Sequence, residues 1–283
     1  MGKETGHQML FLSSLNKAQT NLDGTGGLIM AVSKPLIENY FVGALQMRCS
    51  VVTDTASGDT IIIDGGAEPE RLIAWIENWQ GRGPDWSTGP SSDEYSSGDL
   101  PKRKVVALVN THAHFDHSGH IPDLLDNYNV KWYLHEDDTY LQSLAQSSGQ
   151  RWGFEIPTPA VADEKLISGS VMSFGTIDLE ILHTPGHTLG GCCLRLLIDG
   201  EADHIFVGDT LFAGSVGRTD LPDTGGDFDL LSKSIHDKLW PLADEIIVHP
   251  GHGPLTTIGE EKMNNPFVGI SANGGAYTRG KYL

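Results

Sequence analysis

Ten residues, THAHFDHSGH (Thr111 to His120), carry His112, His114, Asp116 and His117 in the pattern H-x-H-x-D-H. His112 and His114 are two apart, so from an extended stretch both can reach one cation. Asp116 and His117 follow directly and can face a neighbouring point. Imidazole nitrogen suits borderline cations such as zinc, and carboxylate oxygen adds a harder partner. A solvated, His-rich loop is the bland alternative, and three later fragments weigh against it. TPGHT puts His187 in a Pro-Gly turn, VGDT puts Asp209 after the apolar run HIFV, and HPGHGP puts His252 after EIIV. Each offers one ligand on a loop at a strand end, where rigid scaffolds present functional groups. Seven ligands from four loops fit two divalent ions sharing one carboxylate. Zinc is expected first, and iron or manganese suit the same donors.

This ordered set resembles the metallo-β-lactamase superfamily. It is most similar to the glyoxalase II (hydroxyacylglutathione hydrolase) branch, in particular to its short bacterial-type members. The resemblance runs from about Leu36 to Val268 through THAHFDHSGH, HTPGHTLGG, GDTLFAGSVGRTD and HPGHGPLTTIGEEKMNNPF. Carried over by position, it implies that His112, His114 and His187 hold a first ion and Asp116, His117 and His252 a second, with Asp209 bridging. It implies an αββα sandwich of the α+β class, with the site along one edge of the paired sheets. Arg218 stands where the resembled enzymes carry a basic residue near the substrate's carboxylate, and a guanidinium fork suits that group. Asp220 is a candidate to hold Arg218 in place. Asp64, ending DTIIID, is a candidate acceptor for a ligand imidazole, with a plain turn before Gly65-Gly66 as the alternative. Typical glyoxalase II proteins add a helical region after the last ligand that helps grip glutathione. Here 31 residues follow His252, so that grip is expected to be absent.

The activity so implied is hydrolysis of a hydroxyacyl thioester such as S-lactoylglutathione. A thiolate leaves without a strong general acid, and Asp116 is the candidate to orient the attacking water. Two rivals share the fold, which alone does not fix function. One is a lactonase or other ester or β-lactam hydrolase, although true β-lactamases do not use an aspartate at the Asp209 position. The other is a mononuclear iron persulfide dioxygenase, which would use His112, His187 and Asp209 and leave Asp116, His117 and His252 idle.

The elements that must position these residues are legible as runs. LIMAVS, IENYFV, LQMRCSVVTD and DTIIID read as consecutive strands, with a turn at Ser57-Gly58-Asp59. Glu68–Trp79 has helical spacing. Gln80–Arg103 is rich in Gly, Pro, Ser and Asp and reads as a long solvated loop, a lid or spacer apart from the metal site. Its Trp86 and Tyr95 are placed to touch substrate or a second subunit, which leaves a homo-oligomer open. After the strand Lys104–Asn110 come helices near Ile121–Tyr128 and Asp137–Ser147 and a strand at Val130–Leu134. Strands at Ser170–Phe174, Ile177–His183, Cys192–Ile198 and His204–Val207 follow. Then come a helix Phe228–Leu239, a strand Glu245–His249 and a helical turn Gly259–Asn264. Two mixed sheets face to face with helices outside bury such a pattern. Residues 1–27 read as an extension and 28–283 as a single domain.

Composition narrows the partners. Acidic residues outnumber basic ones 37 to 19, a formal charge of −18 that repels phosphate backbones and anionic lipids. Nucleic acid and membrane are therefore not expected, and a small ester or thioester is. No run of 18 apolar residues is present, and the start lacks a secretory pattern. Three cysteines, Cys49, Cys192 and Cys193, are too few for a disulfide framework, so a reducing cytoplasm is expected.

Overall fold

The structure is a computed structural model that describes residues 19–22, 28–31, 34–77, 101–198 and 200–271. Contacts divide the chain into Met1–Lys34 and Pro35–Leu283. In the first unit, β1 (Gln19–Leu22) pairs antiparallel with β2 (Leu28–Ala31). The sequence predicts loose chain at Gln19–Leu22 and a strand only at the second position, and the structure pairs the two.

In the second unit, β3 (Leu36–Val42), β4 (Met47–Thr53), β5 (Asp59–Ile63), β6 (Lys104–Val109), β7 (Lys131–Leu134) and β8 (Glu164–Lys165) form one sheet in chain order. The first three strands are antiparallel, and β5 to β8 run parallel. The other sheet contains β9 (Val171–Phe174), β10 (Ile177–His183), β11 (Cys192–Ile198), β12 (Glu201–Gly208), β15 (Ile247–Pro250) and β16 (Thr256–Thr257). Its order is β16-β15-β12-β11-β10-β9, with β12 and β15 parallel. A small hairpin, β13 (Leu211–Phe212) with β14 (Ser215–Val216), sits between them in sequence.

Alternation along the strands explains the layers. Val52, Ile61, Ile63, Ala107 and Val109 of one sheet meet Leu179, Ile181, Cys192, Leu194 and Phe206 of the other in a shared core. Their neighbours face outward: Val51, Ile62 and Leu108 pack on Leu72 and Ile76 of α1 (Pro69–Glu77) and on Ile121 and Leu124 of α3 (Ile121–Tyr128). Cys193, Ile205 and Val207 pack on Leu231 of α6 (Phe228–Ser234) and Ile258 of α7 (Ile258–Asn264). Both faces of each sheet are thus covered, and the α+β, αββα sandwich expected from the residues is the fold observed.

Two expected helices are interrupted. Asp137–Ser147 resolves into a 3₁₀ turn at Glu136–Asp138, α4 (Thr139–Ser143) and α5 (Ala145–Arg151). Phe228–Leu239 begins as α6, capped by the Asp227 carboxylate accepting from Leu230 N at 2.9 Å, and continues as a π-helical turn over Ile235–Leu239. Within the expected loop 80–103, positions 80–100 lie outside the described residues. Arg103 is buried in an ion pair with Glu38. Among the described residues, no helix is long and apolar enough to cross a membrane.

Candidate metal centre

Every candidate ligand follows the carboxyl end of a strand. Parallel β5 and β6 deliver Asp64 and the HAHFDH run, which continues into α2 (Phe115–Ser118). β10 leads to His187, and parallel β12 and β15 deliver Asp209 and His252. Cys192 N donates to Thr111 O at 2.8 Å, and Arg48 N to Gly251 O at 2.7 Å, so the two sheets are joined where the site lies.

These loops bring all seven residues together in two groups. His112, His114, His187 and Asp209 form one, and Asp116, His117 and His252 the other, with ligand atoms in each group within 4.8 Å of one another. In the first group, His114 Nδ1 lies 3.0 Å from His112 Nε2 and 2.9 Å from His187 Nε2. In the second, Asp116 Oδ2 is 3.2 Å from His252 Nε2 and 3.8 Å from His117 Nε2. Asp209 reaches both: Oδ2 is 3.5 Å from His187 and 3.8 Å from His252, while Oδ1 is 3.3 Å from His117.

The outward nitrogens explain why the inward ones converge. Nδ1 of His187 is 2.6 Å from Arg218 O, that of His252 is 3.1 Å from Leu45 O, and that of His117 is 3.0 Å from Asp64 Oδ2. An acceptor at Nδ1 fixes the hydrogen there and turns the Nε2 lone pair inward, the arrangement that orients metal-ligating histidines. Asp64 also accepts from Thr111 N and Oγ1 at 2.8 and 2.7 Å, in a left-handed turn at φ 57°. It is therefore both the turn residue and the imidazole acceptor, the two readings the sequence had set against each other.

Buried donors and acceptors without partners mark what the site lacks. His117 Nε2 and Asp209 Oδ1, 3.3 Å apart between the two groups, are buried without a hydrogen bond, and such orphans are costly unless a bound group satisfies them. Protonation states suit a cation. Burial, with the neighbouring histidines, pushes His112 well below the usual imidazole range and His114 down to about 3, so both stay neutral. Burial alone would raise Asp209, but His252 and His117 outweigh it and hold the carboxyl well down. Burial disfavours charge on His117, yet Asp116, Asp209 and Asp64 raise its pKa well above the ordinary value. The field that favours an imidazolium there favours a cation in its place.

Two close approaches require glycine. A Cβ on Gly251 would overlap the Asp209 carboxylate and crowd His117, and one on Gly217 would overlap the Asp209 carbonyl and crowd His187.

Arg218 lines the pocket over the centre, with its guanidinium bonded to Asp220 at 2.9 and 3.2 Å. That pairing agrees with the part expected of Asp220. What sequence reasoning missed is the support of the loops. Asp138, buried at the 3₁₀ turn, accepts from Ala113 N at 2.9 Å, Gly190 N at 2.6 Å and Thr188 Oγ1 at 3.0 Å, tying the His112–His114 loop to the His187 loop. Arg48, buried in β4, donates to Pro250 O at 2.8 Å and Gly253 O at 2.5 Å, on either side of His252. Asn110 Nδ2 donates to His117 O at 2.7 Å. A lone arginine inside LQMRCSVV was the available signal for Arg48; nothing local marked Asp138. His135, Asp137 and His183 make a third group, but His183 Nε2 is 2.8 Å from Leu189 O and its ring stacks on His135 at 4.0 Å. This is the strand-end bonding expected of His183.

The Metallo-beta-lactamase superfamily model matches residues 42–252. The chain belongs to this superfamily. Hydroxyacylglutathione hydrolase GloC of Haemophilus influenzae is 36% identical over 234 residues, covering 82% of this chain and 97% of that protein. Among solved structures, the BLEG-1 B3 metallo-beta-lactamase superposes with a TM-score of 0.67 at 33% identity, covering 82% of this chain and 99% of the other. TTHA1623, in a di-iron-bound form, gives 0.63 at 35% identity, covering 81% and 98%. ETHE1 from Myxococcus xanthus gives 0.60 at 23% identity, covering 82% and 84%, a likeness of fold.

Proposed function

We propose that this chain is a dinuclear metal-dependent thioester hydrolase of the glyoxalase II kind, cleaving hydroxyacyl thioesters such as S-lactoylglutathione. One observation carries the reading: the two oxygens of Asp209 reach into both histidine groups, so one carboxylate would serve an ion in each. In this reading His112, His114 and His187 hold one ion and Asp116, His117 and His252 the other. Zinc is the first candidate, with iron or manganese suited to the same donors. The similarity to GloC supports the thioester reading. Bound divalent ions supply an ionised water at neutral pH and polarise the scissile carbonyl.

The chain's own residues do the rest. Burial would raise the Asp116 carboxyl, but His117 and His252 outweigh it, so Asp116 stays ionised and accepts a hydrogen bond from the attacking water. The water oxygen bonds to the acyl carbon, the C–S bond breaks, and the electron pair leaves on sulfur, which takes up the proton. Arg218 receives the carboxylate of the thiol carrier. Three unpaired, buried cysteines favour a reducing cytoplasm as the compartment. The surface charge favours a small-molecule partner over nucleic acid or membrane.

Metal analysis paired with a substrate panel tests this: S-lactoylglutathione, a homoserine lactone, nitrocefin and glutathione persulfide. Expected are two ions per chain and thiol release from the thioester. Oxygen uptake with the persulfide and no thioester cleavage would give the centre to the dioxygenase. Nitrocefin is included because of the likeness to the B3 enzyme, and turnover of it alone would favour a β-lactam hydrolase.

A further inference from the structure

The pocket over the centre is lined largely by apolar residues, Trp152, Val216, Leu221 and Pro222 among them. It has a volume of about 520 Å³, and the ligands His114, Asp116, His187, Asp209 and His252 form part of its lining. Beside His252 the wall is apolar: Leu45, whose carbonyl accepts from that histidine, and Phe212, whose ring centroid is 6.2 Å from the imidazole. Phe115 adjoins Asp116 and packs on Phe154 at 5.4 Å between centroids. On the His187 side the wall presents Arg218, whose own carbonyl anchors that imidazole. Among the described residues, the only other arginine or lysine lining the pocket is Arg151, ion-paired with Asp223 at 3.4 Å.

We infer that this side of the pocket, Leu45, Phe115 and Phe212 around the Asp116–His252 group, selects thioesters with a bulky apolar acyl group over the small, hydroxylated lactoyl group. The inference rests on the thioester reading above. Glutathione, the carrier in the thioester reading, is polar and bears two carboxylates, so it matches the Arg218 side and leaves the acyl half to face the apolar wall. A lactoyl hydroxyl finds no side-chain hydrogen-bond partner in Leu45, Phe115 or Phe212, whereas each added methylene buried there raises binding about fourfold.

The experiment is an acyl series on one carrier, from S-lactoyl- and S-acetyl- to S-hexanoylglutathione, with the metal-loaded protein. kcat/KM rises about tenfold or more from lactoyl to hexanoyl, and Leu45→Asn and Phe212→Ser each cut that ratio at least threefold at unchanged metal content. Calorimetry adds a readout independent of turnover: S-hexylglutathione binds about tenfold tighter than S-methylglutathione, and Leu45→Asn narrows the gap. An active enzyme with a flat or lactoyl-favouring series would overturn this inference and leave the thioesterase standing. An unchanged ratio in both variants would also overturn it. Cleavage of none of the esters would sink the thioesterase reading and this inference with it.

Discussion

The two ligand groups are built differently although they share Asp209. In the first, His112, His114 and His187 are all buried, and the loops that carry them are tied together by the Asp138 carboxylate. Both groups reach the pocket, and the second is the more exposed at one ligand. His252 leaves 28% of its side chain exposed, and its loop hangs on two carbonyls held by Arg48 and on the Leu45 carbonyl. Ligands that are buried and tied by a charged carboxylate are held more rigidly than a partly exposed imidazole held through neutral backbone carbonyls. The first position is therefore expected to be the tight one and the second the exchangeable one.

The largest effect should come from breaking what the groups share. Asp209→Ala is expected to lower total bound metal further than His252→Ala, and kcat/KM by on the order of a thousandfold, several kcal/mol of lost charge stabilisation. If elemental analysis showed the two variants equal, Asp209 would not be common to both ions.

A crossed pair sharpens the contrast. Arg48→Met should weaken the second ion by about 10- to 100-fold and spare the first, whereas Asp138→Asn should do the reverse. Competition titrations with a chelator would read the two affinities separately. The same change in both affinities from either variant would mean that the groups behave as one unit.

The smallest effect separates them by pH. Burial opposes charge on His252, but Asp209 and Asp116 outweigh it and raise its pKa, as the carboxylates do for His117. Burial lowers that of His112, His114 and His187. A ligand of raised pKa takes up a proton first as pH falls, so protons displace the second ion at a higher pH than the first. Metal retention measured from neutral pH downward should fall in two steps, with the second-group ion leaving first. A single step would remove the distinction.

What was legible in the sequence follows from how local the signal is. H-x-H-x-D-H could be read because four ligands sit within six residues. DTIIID before Gly65-Gly66 showed both a strand and its stop. The sheets were legible because alternating pairs such as Val51/Val52 and Cys192/Cys193 send neighbours to opposite layers. Asp138 was hidden because its partners lie 25 to 52 residues away, and Arg48 because its carbonyls lie more than 200 residues away. The 3₁₀ turn at the start of the expected helix Asp137–Ser147 has the same origin. Asp138 is drawn into the turn by backbone donors from two other loops, a tertiary demand that helical periodicity does not contain.

The glycines at 217 and 251 carry a consequence for how this chain can diverge. Any side chain at either position collides with Asp209, so an altered substrate range cannot be reached through them without giving up the centre. Leu45, 42% exposed, is not confined in that way. A saturation library over the pocket should therefore fall into two classes, frozen positions that frame the ions and variable ones that face the acyl group. New specificities would accumulate only in the second class.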